Sequence, residues 1–427
     1  MKDNWKELTI GDEINLLGGF PFSSSNFNEE GVGTPLIRIR DLLNSSQETF
    51  YSGSFSNSYL IKEQDILVGM DGDFHIVKWK NSPSLLNQRI LKVSGKKESE
   101  IDIDYLFYYL HPFLLDVHAK TAATTVKHLS TFDISTAIDL FPPLPQQRKI
   151  ANILSTCDQV IEKTEAAIAK YQALKQGMMH DLFTRGIDLN TGKLRPKYQD
   201  APELYKESDL GMIPKDWEMG HFIDFADERI SHSFTGGPFG SDLQTRDYTK
   251  EGVRIIQLQN IGDGKFNNGY KIYTSEEKAN YLRACNIYPG EIILSKMAEP
   301  IARACIIPID NERYLMASDG IRLSIDKKRF NLRFVLETIN QKRFRSIAEI
   351  RSTGTTRSRI GLTELKGIPV CYPQKNEQDI IGIKLDNLEE SIEIEQSALS
   401  KYQQLKAGLM QDLLTGKVEV AEEIVKN

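Results

Sequence analysis

Residues 170–184 read KYQALKQGMMHDLFT, and residues 401–415 read KYQQLKAGLMQDLLT. Around this pair, residues 141–186 lie on 372–417 at a shift of 231 without a gap, with 17 identities in 46 positions. Ordinary residue frequencies give about three by chance. The chain therefore carries an internal duplication.

Both copies bear the same apolar stripe. In the first, Ile150, Leu154, Cys157, Ile161, Thr164, Ile168, Tyr171, Met178 and Leu182 recur at alternating intervals of three and four, with Leu174 beside the charged gap at Lys175. Ile381, Leu385, Leu388, Ile392, Glu395, Leu399, Tyr402, Leu409 and Leu413 match them in the second. A seven-residue period keeps one narrow face toward a partner helix, so the pattern predicts a coiled-coil seam on two helices of roughly 50 Å each. Pro145 and Pro373 stand near the starts, and Gly186 and Gly416 after the ends. Two unrelated amphipathic helices, each packed on its own globule, would show a similar stripe, but equal length and register favour mutual pairing.

Two segments of similar size flank the helices. Trp5 and Trp217 open them, PLIRIRDL at 35–42 answers RIIQLQNI at 254–261, and DILVGM at 65–70 answers EIILSK at 291–296. The first pair reads as alternating strands with Arg38 and Arg40, or Gln257 and Gln259, on one face. TGTTRSRI at 353–360 corresponds, at the same shift of 231, to AATTVKHL at 122–129. Residues 187–214 are rich in turn formers and charge and suit an exposed crossover. The order is globule, helix, linker, globule, helix, an α+β chain.

At 427 residues, 40% apolar and 26% charged, the chain has ordinary globular composition with room for two or three domains. No apolar run approaches a membrane span and the N-terminus lacks a signal-peptide pattern, so a cytoplasmic protein is expected. Cys157, Cys285, Cys305 and Cys371 are too scattered for a zinc clamp, and no metal is expected. The net charge of −6 argues mildly against nucleic acid. Between Lys327 and Arg359, however, ten Lys or Arg residues face only Glu337 and Glu349. That stretch is either a phosphate footprint or a solvated helix face.

Enzyme motifs are weak. Asp310, Asp326 and Lys328 have a loose nuclease spacing without a convincing start, GDGK at 262–265 lacks P-loop spacing, and the seven histidines form no HExxH pair. FPPLP at 141–145 lacks the preceding Asn or Asp of an amino-methyltransferase. A structural coiled-coil adaptor would explain the helices but not two globules with paired polar strands.

The order of parts, with GMIPKDWEMG (211–220), GGPFGSDL (236–243), GMDGDF (69–74), LLNQR (85–89) and STGTTRSRI (352–360), resembles the specificity subunit of Type I restriction-modification systems over essentially the whole chain. The resemblance implies two target recognition domains, at 1–145 and 217–376. It further implies a central conserved helix at 146–186, a linker at 187–216, a distal conserved helix at 377–416 and a tail at 417–427. The helices would form an antiparallel coil that spaces the domains and docks two methyltransferase subunits. Those subunits would bring S-adenosylmethionine, this chain binding no cofactor and holding no catalytic residue, and a translocating endonuclease would be a further partner. Each domain would read half of an asymmetric site on double-stranded DNA. The family often has Glu-Gln at the start of the helix, as Glu377-Gln378 here, whereas the first copy has Gln146-Gln147.

Arg bridges guanine and Asn or Gln bridges adenine, so Arg38, Arg40, Gln88 and Arg89 in the first globule are candidate base readers, as are Gln257, Gln259 and Asn260 in the second. Thr124, Thr125, Lys127, Ser241, Lys296, Thr355, Thr356, Arg357 and Arg359 are candidate phosphate or groove contacts. For each of them a plain surface or strand-edge role is the competing reading.

Overall fold

The computed structural model describes residues 4–121, 126–297, 300–354 and 358–420. Among them, five helices exceed two turns: α1 (Ile103–Lys120), α2 (Leu144–Thr184), α3 (Leu332–Asn340), α4 (Lys342–Ile350) and α5 (Lys375–Leu414). The chain divides into two compact units. Unit 1 is Met1–Ala166 with Gln396–Asn427, and unit 2 is Ala167–Glu395. The first part of α2 and the last part of α5 thus belong to unit 1, and the remainder of each to unit 2.

In unit 1 a four-stranded antiparallel sheet has the order Ile14–Gly18, Ile90–Gly95, Ile66–Gly69, Ile76–Lys78. A five-stranded sheet has the order Phe27–Asn28, Phe50–Tyr51, Thr34–Ile37, Ser84–Leu86, Leu60–Ile61, with Thr34–Ile37 parallel to Ser84–Leu86. Lys6–Thr9 pairs with Ile138–Phe141 and closes the globule just before α2. Unit 2 repeats every step. Its four-stranded sheet runs Phe234–Gly236, Gly320–Leu323, Ile292–Ser295, Ala304–Ile306. Its five-stranded sheet runs Tyr248–Thr249, Ile272–Thr274, Val253–Ile256, Tyr314–Met316, Asn286–Ile287, again with one parallel pair. Glu218–His221 pairs with Pro369–Tyr372 before α5. The duplication therefore includes the globules, where the sequence retains few identities.

The helix pairing is antiparallel within each unit. In unit 1, Asp158 of α2 takes the ammonium of Lys406 of α5 at 2.5 Å, and Ile150 and Leu154 share a core with Leu413. In unit 2, Lys175, the charged gap of the stripe, pairs with Glu389, and Leu182 shares a core with Ile381 and Leu385. Ile150, Leu154, Leu182, Ile381, Leu385 and Leu413 share the cores of the globules, and these and Ile168, Leu388 and Ile392 are buried. Cys157, Ile161, Tyr171, Met178, Leu399 and Leu409 are half-buried, because a lone two-helix coil covers only one side of each helix. Tyr402, expected in the seam, is 37% exposed. The same one-sided cover of a two-helix coil leaves it at the surface.

Each long helix is fixed to its globule by a buried glutamine near its start. Gln147 donates to the carbonyls of Pro142 and Glu100, both at 2.8 Å, and accepts from the Asp102 N–H at 2.7 Å. Asp102 is also the N-cap of α1. Gln378 donates to Pro373 and Arg329 and accepts from the N–H of Asn331, the N-cap of α3. Neither side chain reaches water, so each amide satisfies backbone groups that folding would otherwise strand.

The segment expected as an exposed crossover is folded. Ile187–Asp188 pairs with Lys193–Leu194, Tyr205–Lys206 pairs with Ile213–Pro214, and Ile187, Tyr205 and Ile213 are buried. Its anchor is Arg195, whose guanidinium forks onto Glu377 at 2.7 and 2.8 Å and also reaches Asp216 at 2.6 Å. Glu377 additionally accepts from the Ile187 N–H at 2.8 Å and from Trp217 Nε1 at 3.2 Å. A carboxylate 1% exposed is tolerated only with such partners. Arg195→Ala should leave Glu377 charged, buried and half-satisfied, destabilising unit 2 by about 3–5 kcal/mol. Urea unfolding followed by the fluorescence of the buried Trp217 measures it, and Arg195→Ala combined with Glu377→Gln should recover part of the loss.

Candidate nucleic-acid interface

In both units the central strand of the five-stranded sheet ends in a tight turn. Thr34–Ile37 and Val253–Ile256 carry mostly buried side chains, so they are core strands and not the alternating strands expected. The polar residues come one step later, on the turns Arg38–Asp41 and Gln257–Asn260. In unit 1 the Arg38 N–H donates to the Asp41 carboxylate at 2.8 Å, leaving Arg38 and Arg40 exposed. In unit 2 the Gln257 N–H donates to Asn260 Oδ1 at 3.0 Å. Asn260 is fully buried and donates to the carbonyls of Asn267 and Tyr270 at 2.9 and 2.8 Å. Expected as a base reader, it is instead the clasp of the turn, the counterpart of Asp41. Gln259 donates to Gln257, which donates to the Tyr248 hydroxyl, both at 3.2 Å. That relay orders two amides at the surface.

A second turn lies beside the first. In unit 1 Gln88 and Arg89 are exposed, and Arg89 adopts a left-handed backbone (φ 72°). Its guanidinium lies 3.4 Å from His128 Nδ1 and 3.7 Å from Asp71, and His128 meets Asp71 at 2.6 Å. The segment after residues 122–125 is stitched to this turn, the Leu129 N–H donating to Met70 at 2.7 Å and Gly72 N–H to Lys127 at 3.1 Å. Lys127, expected to hold phosphate, is half-buried and its ammonium is on the carbonyl of His118. It ties this segment to the end of α1.

Unit 2 builds the same corner from other residues. Thr353 and Arg359 exchange backbone hydrogen bonds at 2.9 and 2.8 Å, and the Ile360 N–H donates to the Lys296 carbonyl at 3.0 Å. The Arg359 guanidinium pairs with Asp319 at 2.7 Å while remaining 52% exposed. Lys296 is half-buried in the bend that follows Ile292–Ser295, and Ser241 is exposed in the loop after Gly240. A cleft of about 280 Å³ opens between Pro238, Gly240, Tyr248, Gln257, Gln259 and Ser318–Asp319. The candidates Thr124, Thr125, Thr355, Thr356 and Arg357 lie outside the described residues.

Part of the basic stretch 327–359 is spent inside unit 2. Arg333 pairs with Glu337, Asp386 and Glu389, Arg345 with Asp263, and Arg343 reaches the Leu210 carbonyl and Cys371 Sγ. The bond from Arg345 holds the Asp263 carboxyl below its usual range. Arg351 donates to Glu364. Lys327, Lys328, Arg329, Lys342 and Arg359 remain exposed, so the stretch is partly spent in internal pairs and partly open to solvent. The residues of the loose nuclease spacing have separate partners, Asp326 taking Arg229 and Asp310 taking Asn268. Among the described residues, no three His, Cys, Asp or Glu side chains converge as a metal site, and no helix is long and apolar enough to cross a membrane.

A family model described as the Type I restriction modification DNA specificity domain matches residues 2–170 and 252–404. The chain belongs to this family. Among Type I specificity subunits it is 26% identical over 424 residues to the EcoBI subunit of Escherichia coli, covering 97% of this chain and 86% of that one. It is 22% identical over 436 residues to the MjaVIII subunit of Methanocaldococcus jannaschii, covering 98% and 94%. In fold it is similar to the Type I S subunit of M. genitalium, with TM-score 0.60, 15% identity and 96% of both chains covered. A chain of another type I system gives TM-score 0.52 at 14% identity, covering 97% and 99%. These specificity subunits span nearly the whole of the present chain, both units included.

Sequence reasoning did not single out Asp71, His128, Tyr248, Ser318 or Asp319. The shift of 231 that pairs His128 with Arg359 could have found the first corner residue. Asn260→Ala should destabilise unit 2 by about 2–4 kcal/mol, since it removes a fully buried side chain and takes the partner from two part-buried carbonyls and an N–H. Gln259→Ala, at the surface, should change stability by less than about 0.5 kcal/mol. Denaturant unfolding of the two variants separates the clasp from the exposed amide.

Proposed function

We propose that this chain is the non-catalytic DNA reader of a Type I restriction-modification complex, each unit reading one half of an asymmetric bipartite site. One observation carries the reading: the same two turns recur in both units, on the same strands, but carry different polar groups. Arg38, Arg40, Gln88, Arg89 and His128 stand where Gln257, Gln259, Ser318, Asp319 and Arg359 stand. Like frames with unlike readers address two unlike half-sites. The recognition domains are assigned to 1–145 and 217–376. The paired helices set the distance between half-sites and dock two methyltransferase subunits, which supply S-adenosylmethionine and the transfer chemistry. An endonuclease subunit joins when cleavage is required, and the complex works in the cytoplasm.

Replacing Gln257 or Gln259 by Ala should relax discrimination at one position of one half-site, by about 1–3 kcal/mol for a bidentate contact. Arg359→Ala should weaken binding to all sequences and lower the salt slope by about one unit. Selection of sites from random duplexes across a salt series distinguishes the two behaviours.

Mapping methylation in cells that carry the chain with its methyltransferase should reveal one bipartite motif, while the purified chain alone modifies nothing. Inserting one heptad into α2 and α5 at matched positions keeps the seam and adds roughly 10 Å. The half-sites should then stay the same while the spacer grows by about three base pairs, at 3.4 Å per step, with some loss of activity from the added rotation. Unchanged spacing at full activity would remove the ruler role. Modification by the chain alone would overturn the non-catalytic assignment.

A further inference from the structure

The loop after Phe234–Gly236 passes unusually close to the second turn of unit 2. A Cβ on Gly237 would lie 1.8 Å from the Ala317 carbonyl oxygen, so only glycine permits the approach. Pro238 and Gly240 consequently line the cleft with Gln257, Gln259 and Ser318–Asp319. Between them the turn, closed by the Asp242 N–H on the Phe239 carbonyl at 2.8 Å, holds the Phe239 side chain 85% exposed. Leaving a phenyl ring in water forgoes its ordinary burial free energy, and the residues on either side of this one line the cleft.

The duplication repeats the arrangement. In unit 1 a Cβ on Gly19 would lie 1.9 Å from the Asn87 carbonyl oxygen, and the following residue, Phe20, accepts the Gln88 N–H at 3.0 Å. Its ring is 43% exposed and braced 5.1 Å from both Phe22 and Tyr59. Two copies of one frame thus place an aromatic ring beside the second turn, although the sequences GGFPF and GGPFG set it one residue apart.

We propose that Phe239 is an aromatic wedge that enters the base stack at the half-site addressed by unit 2, with Phe20 its shorter counterpart in unit 1. The assignment rests on the DNA-reading function proposed above. A wedge of this kind needs an apolar ring surrounded by groups that bond to base edges, and amide and hydroxyl groups line this cleft. A protein-docking face would instead continue the ring into a contiguous apolar patch. Unstacking one step kinks the duplex at a cost that depends on its sequence, so the ring contributes to specific binding and little to salt-dependent attraction.

The test uses the assembled complex of this chain with its methyltransferase subunits and duplexes carrying the mapped site. Binding is read together with the permanganate reactivity of thymines in and beside each half-site. Phe239→Ala should lower affinity for the site by roughly five- to a hundredfold. Affinity for random duplex should hold within about twofold, and a reactive thymine at one half-site should become protected. Phe239→Trp should keep both. Equal affinity and an unchanged thymine pattern in Phe239→Ala would overturn the wedge, as would a loss of methyltransferase assembly in place of DNA affinity. Failure of the DNA-reading function itself is recognised separately, because the wild-type complex would then modify no bipartite site.

Discussion

Two buried side-chain amides hold this architecture together. Gln147 and Gln378 each bond three backbone groups that no helix or sheet ladder can satisfy, joining the start of a long helix to the N-cap of a helix in its globule. An amide with donors and an acceptor in one plane does this where a carboxylate or a hydroxyl would leave a group unmet. A helix fastened at its first turn leaves the globule with a fixed direction. The turns that carry candidate readers are then fixed relative to that helix within their unit. The second copy adds Glu377 and Arg195, a charge pair that lets a folded crossover close over the start of α5.

Much of this was legible because helical repetition is written in side chains at fixed intervals. The stripe from Ile150 to Leu182 and its copy from Ile381 to Leu413 decide the coil, and the gap at Lys175 has its partner in Glu389. The sheets were less legible. Val253–Ile256 is buried on both faces, its one charged residue, Arg254, bonded inside to Asn268 and Tyr270, so no period marks an exposed face and the polar residues after it looked like one face of a longer strand. Asn260 was misread for a related reason. Its amide chemistry suits adenine and a buried turn equally well, and only burial separates the two.

Among the described residues, the cations of the basic stretch at 327–359 divide by their place in the fold, five of them exposed and four drawn into internal bonds. Arg333, Arg343 and Arg345 neutralise carboxylates or cap carbonyls that are distant in sequence, so their charge is largely consumed before any ligand arrives. Arg359 differs because the loop that carries it is pinned at Thr353 and Lys296, holding the guanidinium outward on Asp319. Position in the fold, more than composition, decides which cations remain available.

The antiparallel pairing of α2 with α5 also has a cost in time. The stretch of α2 that ends at Thr184 cannot cover its stripe until the chain beyond Lys375 has been made. At ordinary translation rates of about 5–20 residues per second, that interval is roughly 10–40 s. Throughout it Leu182 and Phe183 lack the α5 residues Ile381 and Leu385 of their core. A nascent chain of this design is therefore most exposed to aggregation while its second globule is emerging, and translation speed between the two helices becomes a determinant of its yield.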